Sequence, residues 1–135
     1  MSTAPATLRM VQDSGAEARW PLEGAGSGRL VFVQRDLTVV RPAPHVWEFG
    51  RLMVRTPAQA AAVRLSATYY VDEVRAATGT GWTAAAAGPA GITDPNDAAH
   101  DRRSLAGWSR SPHDAIFRIH PQTVSGFRPV RGTES

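Results

Sequence analysis

An ordered series of β-type runs, each ended by turn residues, constrains this chain more than anything else in it. Gly28-Arg29-Leu30-Val31-Phe32-Val33, Leu37-Thr38-Val39-Val40-Arg41-Pro42 and Leu52-Met53-Val54-Arg55-Thr56 follow one another closely enough to imply a meander. The series continues with Ala67-Thr68-Tyr69-Tyr70-Val71-Asp72, with Thr80-Gly81-Trp82-Thr83 running to Ile92-Thr93-Asp94-Pro95, and with Ile116-Phe117-Arg118-Ile119-His120-Pro121 leading to Val124-Ser125-Gly126-Phe127. The pattern reads as a mainly β protein, one small barrel with short helices.

Local chemistry refines the strands. Arg35-Asp36 between two β-rich runs predicts a tight hairpin, and Phe49-Gly50-Arg51 a second turn. Pro42 and Pro44 cannot donate to a central ladder, so the stretch Arg41-Pro42-Ala43-Pro44 belongs at an edge or bulge. Thr56 can cap a short helix over 57–64, with Pro57 in its first turn, and Thr93 or Asp94 can cap a second over 94–105. Tyr69 and Tyr70 point to opposite faces if strand-like. Residues 1–27, rich in Ala, Gly, Ser and Pro, read as an arm that Trp20 and Leu22 can dock, residues 28–131 as the barrel domain and 132–135 as a tail.

Composition removes several function classes. The absence of cysteine excludes disulfides, thiolate metal sites and a cysteine nucleophile. All 15 basic residues are arginine, yet they are scattered, so the net charge of +3 does not form a nucleic-acid footprint. No apolar run approaches the roughly 20 residues of a membrane span, and no signal-type segment opens the chain, so a cytoplasmic protein is expected. His100, His113 and His120 lack compact ligand spacing, and no metal site is expected. A chain of 135 residues fits one domain that a dimer interface would help stabilise.

Gly-Arg-Leu-Val-Phe, Arg-Pro-x-x-His, Val-Arg-Thr, Thr-Gly-Trp-Thr, Ile-Thr-Asp-Pro and Arg-Ile-x-Pro-x-x-Val-x-Gly-Phe-Arg occur in one order along roughly residues 28 to 130. That order resembles the split β-barrel proteins related to pyridoxamine 5′-phosphate oxidase, small and usually homodimeric binders of flavin or deazaflavin. The resemblance implies a flavin-type oxidoreductase with FMN or a deazaflavin at a homodimer interface, acting on a small-molecule substrate. It places Arg41, Pro42, Ala43, Arg55, Thr56, Gln59, Trp82 and Trp108 around the cofactor, and His45 beside cofactor or substrate as the catalytic candidate. An arginine fork, a hydroxyl and helix N-terminal amides suit a phosphate, and a near-neutral imidazole suits proton transfer. Each residue also has a plainer reading: a local hydrogen bond for His45, a solvated strand-end charge or a surface ion pair for Arg55, a helix cap for Thr56, and aromatic packing for Trp82 and Trp108.

The chain departs from the family in one place. Where relatives carry a Gly-Ser-Lys or Ser-Arg-Lys cluster, it has Ala58-Gln59-Ala60-Ala61 and is a few residues shorter, although Arg64 or a partner's arginine would compensate. The alternative is therefore a family member with a degenerate flavin site and no such cofactor, acting as a small-molecule binding protein or a cofactor-independent enzyme. A haem-binding variant, with His45 facing the pocket, is a third possibility.

Overall fold

The structure is a computed structural model and describes residues 7–56, 66–75, 77–92 and 115–131. The elements are β1 (Leu8–Gln12), α1 (Gly15–Arg19), β2 (Gly24–Gln34), β3 (Leu37–Glu48), β4 (Arg51–Thr56), β5 (Ser66–Arg75), β6 (Thr80–Ile92), β7 (Ala115–Ile119) and β8 (Thr123–Arg131). All strand pairs are antiparallel, in the order β1-β8-β6-β5-β2-β3-β4-β7, and β6 also pairs with β7. That last pairing closes β2 to β7 into a barrel, with β8 and β1 added along one side of β6. The expected mainly β split barrel is what forms. The helices expected over 57–64 and 94–105 lie outside the described residues.

Both expected hairpins are two-residue turns. Arg35 and Asp36 have φ of 51° and 63°, and Phe49 and Gly50 have φ of 54° and 73°, the paired positive φ values that match the twist of the flanking strands. Bonding alternates along a strand from such a turn, so β3 residues 39, 41, 43 and 45 address β2 while 42 and 44 turn their backbone the other way. β4 pairs with β3 only from His45 onward. The two prolines therefore occupy the edge positions their chemistry requires.

Phe49 conflicts with its turn. It is 84% exposed, and a bulky side chain at positive φ costs about 1 kcal/mol or more with no burial in return. Replacing Phe49 by Asn, which tolerates this conformation, should raise stability by about 1 kcal/mol and the melting temperature by about 4 °C, as read by thermal unfolding.

β6 changes partner at Gly88-Pro89. Residues 83–87 pair with β8 and residues 90–92 with β7, while the connection between those strands crosses at the bend, His120 N–H donating to the Pro89 carbonyl at 2.9 Å and Gln122 N–H to the Ala87 carbonyl at 2.8 Å. A Cβ on Gly88 would collide with the His120 carbonyl. The alanine run makes this crowded strand thin: Ala84 and Ala86 point into the core and are buried. Opposite Ala84 on β8, Gly126 has no side chain, and Ala18 of α1 seats against it, 2.9 Å from where a Cβ would stand.

The segment before residue 28 is more than an arm. Its described part supplies β1, α1 and the first four residues of β2, which begins at Gly24 because glycines pair in a ladder without marking the alternation. α1 is capped by Ser14, whose hydroxyl accepts from Glu17 N–H, and Leu22 is fully buried in the core cluster with Leu30, Phe32, Tyr69 and Phe117.

Candidate functional site

Alternation divides the sequence-predicted residues between two faces of the sheet. Cross-strand pairs share a face, so the register Val46↔Met53↔Arg118 and Arg55↔Ile116 puts Val46, Met53, Arg55, Ile116 and Arg118 on the outer face of β3, β4 and β7. Ala43, His45 and Thr56 lie on the inner face. Arg55 and Thr56, adjacent in sequence, cannot serve one ligand from a flat strand.

The outer face carries a small apolar cluster of its own, Val46, Met53 and Ile116. Arg55 is 5% exposed beside it, and Arg118 is half-buried one diagonal away. The plainer reading of Arg55 as a solvated strand-end charge therefore fails: a guanidinium this enclosed costs several kcal/mol unless it meets hydrogen-bond acceptors or an anion. Of the other expected ligands, Pro42 is exposed on the edge of β3, and Arg41 is exposed with Nη1 donating to its neighbour's Val40 carbonyl at 3.3 Å. Gln59 and Trp108 lie outside the described residues.

Thr56 departs from its expected role as a ligand donor. Its side chain is fully buried and its hydroxyl donates to the Pro42 carbonyl at 3.3 Å, which joins the end of β4 to β3 where the ladder has stopped.

His45 also departs from its expected role. Its ring is 1% exposed and both nitrogens are engaged, Nε2 with the Leu22 carbonyl at 3.0 Å and Nδ1 with the Tyr69 hydroxyl at 2.8 Å. Tyr69 in turn donates to the Ala43 carbonyl at 2.7 Å. Two glycines make room: His45 pairs across the ladder with Gly26, whose absent Cβ would stand 3.0 Å from the ring, and Gly28 lets the Tyr69 phenol cross β2 to reach β3. Burial lowers the His45 pKa, the Leu22 carbonyl partly opposing it, and burial raises that of Tyr69 well beyond the ordinary phenol range. The group expected to handle protons for a substrate is a cross-strand tie. Removing the Tyr69 hydroxyl by Tyr69→Phe should cost about 1–3 kcal/mol, since it leaves the buried His45 Nδ1 without its partner; denaturant unfolding measures it.

Trp82 packs at the rim of the core and meets Trp20 edge to face, centroids 6.2 Å apart. It also lines a cavity of about 320 Å³ with Glu73, Arg75, Thr80 and Gly81. Glu73 and Arg75 form an exposed ion pair at 3.1 Å.

Sequence reasoning missed the three groups that define these sites: Tyr69 as the partner of His45, the Leu22 carbonyl, and Arg118. Arg118 stood inside a quoted motif, and its alternation with Phe117 was legible. A backbone carbonyl has no sequence signal.

Among the described residues no group of three or more His, Cys, Asp or Glu could hold a metal ion, and no helix is long and apolar enough to cross a membrane. No protein-family model matches the chain. A curated relative, the uncharacterized protein Rv0080 of Mycobacterium tuberculosis, is 33% identical over 124 residues, covering 84% of this chain and 82% of its own. Among solved structures, an FAD-binding protein from Mesorhizobium loti superposes with a TM-score of 0.72 at 16% identity, over 93% of this chain and 100% of its own. A candidate pyridoxamine 5′-phosphate oxidase from Corynebacterium glutamicum gives 0.69 at 19% identity, over 92% and 100%. The FAD-binding protein of Mycobacterium smegmatis gives 0.64 at 21%, over 90% and 98%. The chain thus belongs to the family of Rv0080, and its fold is the split β-barrel of pyridoxamine 5′-phosphate oxidase-like and flavin-binding proteins.

Proposed function

We propose that the protein binds a flavin-type cofactor against the outer face of β3, β4 and β7 and serves as a flavin-type oxidoreductase. The observation that carries this reading is the enclosed Arg55 beside Arg118 at the margin of an apolar patch. Planar guanidinium forks suit a phosphate bidentately, and an apolar surface suits the ring. Residues and group are compatible in kind: Arg55 and Arg118 would hold the phosphate end, and the partly buried Ile116, at the margin of the buried Val46–Met53 pair, would offer the ring an apolar contact. When bound, the flavin supplies hydride or electron transfer. The protein's part is to position the ring and to hold the barrel behind it rigid, which the His45–Tyr69 tie does by joining β3, β5 and the α1–β2 connection.

Homodimerisation belongs to the same reading. The outward faces of β2, β3 and β5 expose Val33, Val40 and Tyr70, apolar surface suited to a second copy of the chain. Sedimentation equilibrium at micromolar concentration should give twice the chain mass of 14.5 kDa; a monomer would count against an interface cofactor.

Two observations favour a second reading, a barrel that takes a small molecule without a flavin phosphate. Thr56 spends its hydroxyl on Pro42 inside the protein, and the cavity beside Trp82 offers another place for a ligand. The absorption spectrum of freshly purified protein, alone and after exposure to FMN, FAD or a deazaflavin with removal of unbound ligand, separates the two. Retained flavin or deazaflavin bands support the oxidoreductase and name its cofactor, and a Soret band would point to haem. A colourless protein that retains none of them supports the second reading.

A further inference from the structure

We propose that His45 is a proton-operated latch: neutral, it holds the N-terminal segment, residues 14–22, against the barrel, and on protonation it releases that segment. This inference is independent of any cofactor. It starts from a count of hydrogens. The Leu22 carbonyl can only accept, so His45 Nε2 carries a hydrogen, and in the neutral ring Nδ1 is then an acceptor. Tyr69 has one hydroxyl hydrogen and two acceptors, Nδ1 at 2.8 Å and the Ala43 carbonyl at 2.7 Å. The chain Leu22–His45–Tyr69–Ala43 is thus one hydrogen short.

A second ring proton would fill that gap on Nδ1, donating to the Tyr69 oxygen while the Tyr69 hydroxyl keeps its bond to Ala43. Among the described residues the site has hydrogen-bonding room for a proton but no provision for its charge. The inner-facing side chains packed around this part of the barrel are Ala43 and Trp47 of β3, Val54 of β4, Tyr69 and Val71 of β5, and Ala84 and Ala86 of β6, with Gly26 and Gly28 of β2 offering none. Tyr69 is the titratable group among them, and it is held neutral. On the same face of β5, Glu73 lies at the exposed strand end and is paired with Arg75; Glu23, next to Leu22, and Glu17 and Arg19 of α1 are exposed. A buried imidazolium without a counter-charge is costly. Withdrawal of Leu22 would bring water to the ring and relieve that cost.

What the latch retains is small enough to open alone. α1 is a five-residue helix, Leu22 N–H and Glu23 N–H both donate to the Arg19 carbonyl at 2.9 and 3.0 Å, and Trp20 is 65% exposed even when docked on Trp82. Ala18 and Leu22 are the buried side chains of this segment, and a single short helical turn with an exposed aromatic marks a segment that opens locally. Opening would uncover Trp82, on which Trp20 packs.

The sign follows from linkage. In the open segment His45 titrates near the ordinary value of about 6.5, and in the closed one lower, so closure is fully favoured above about pH 6.5 and weakens as pH falls toward the closed-state value. Between pH 7.5 and 5.5 the open fraction should rise about tenfold. The experiment is limited trypsinolysis at Arg19 in the full chain, with rates at each pH divided by those of an unstructured reference peptide in the same tube. The wild type should show the tenfold rise and His45→Gln none. An equal rise in His45→Gln, or a flat wild-type profile, overturns the latch. Nitrogen-15 NMR of the wild-type ring tests it without any variant: a hydrogen on Nε2 at pH 7.5 and a His45 pKa below 6.5 are expected, and a pKa at or above 6.5 overturns it.

Discussion

Gly28→Ala should damage both the ladder and the buried polar tie, lowering stability by about 3 kcal/mol and the melting temperature by roughly 10 °C. The added Cβ would stand 2.7 Å from both Cζ and the hydroxyl oxygen of Tyr69, and it would also collide with the Tyr70 carbonyl. Neither obstacle yields easily. The carbonyl belongs to the β2–β5 ladder, in which Arg29 pairs with Tyr70 and Leu30 with Tyr69. The phenol is held by Ala43 and His45, and its ring is fully buried. Overpacking alone costs 1–3 kcal/mol, and displacing the hydroxyl from two buried partners adds about as much. Differential scanning calorimetry decides the matter: a Gly28→Ala protein melting within about 2 °C of wild type would show that Tyr69 does not cross the strand here.

Arg55→Ala should reduce affinity for the retained flavin about 10–100-fold, with Arg118→Ala weaker in the same direction. A charge-assisted hydrogen bond to phosphate contributes about 1.5–3 kcal/mol, and an enclosed guanidinium is less screened than a surface one. Fluorescence titration with FMN and with riboflavin, which lacks the phosphate, localises the effect: the loss should appear for FMN and be small for riboflavin. Equal losses for both would assign Arg55 to the packing of the outer face instead. Unchanged FMN affinity would place the phosphate elsewhere and favour the reading in which the barrel uses no flavin.

Local chemistry made much of the architecture legible. A period of two marked the strands, Arg35-Asp36 and Phe49-Gly50 marked turns whose φ values are positive at both positions, and Pro42 and Pro44 marked the edge of β3 because a residue without N–H has few places in a sheet. Each inference needed only neighbours along the chain. The beginning of β2 at Gly24 was hidden for the same reason, since Gly24, Gly26 and Gly28 carry no alternating side chain.

The candidate site was less legible. Adjacent residues in a strand serve opposite faces, so Arg55-Thr56 read together as a phosphate clamp, yet Thr56 points inward to Pro42 and Arg55 outward beside Ile116. His45 had the chemistry of an acid–base catalyst. The partners that fix its role, Leu22 and Tyr69, lie 23 and 24 residues away along the chain, and one of them is a backbone carbonyl that any residue could have supplied.

By itself, then, the sequence determined the strands from residue 28 onward, their turns and the edge prolines, because these depend on propensities and periods within a few residues, while the class of barrel followed from the family resemblance. Tertiary structure alone decided that β6 shares its edge between β7 and β8, that β1 joins β8, that Arg55 is enclosed and that His45 is locked away from solvent. Alternation defines two faces on every strand, but which face becomes the interior, and which distant group meets it there, is settled only when the strands pair.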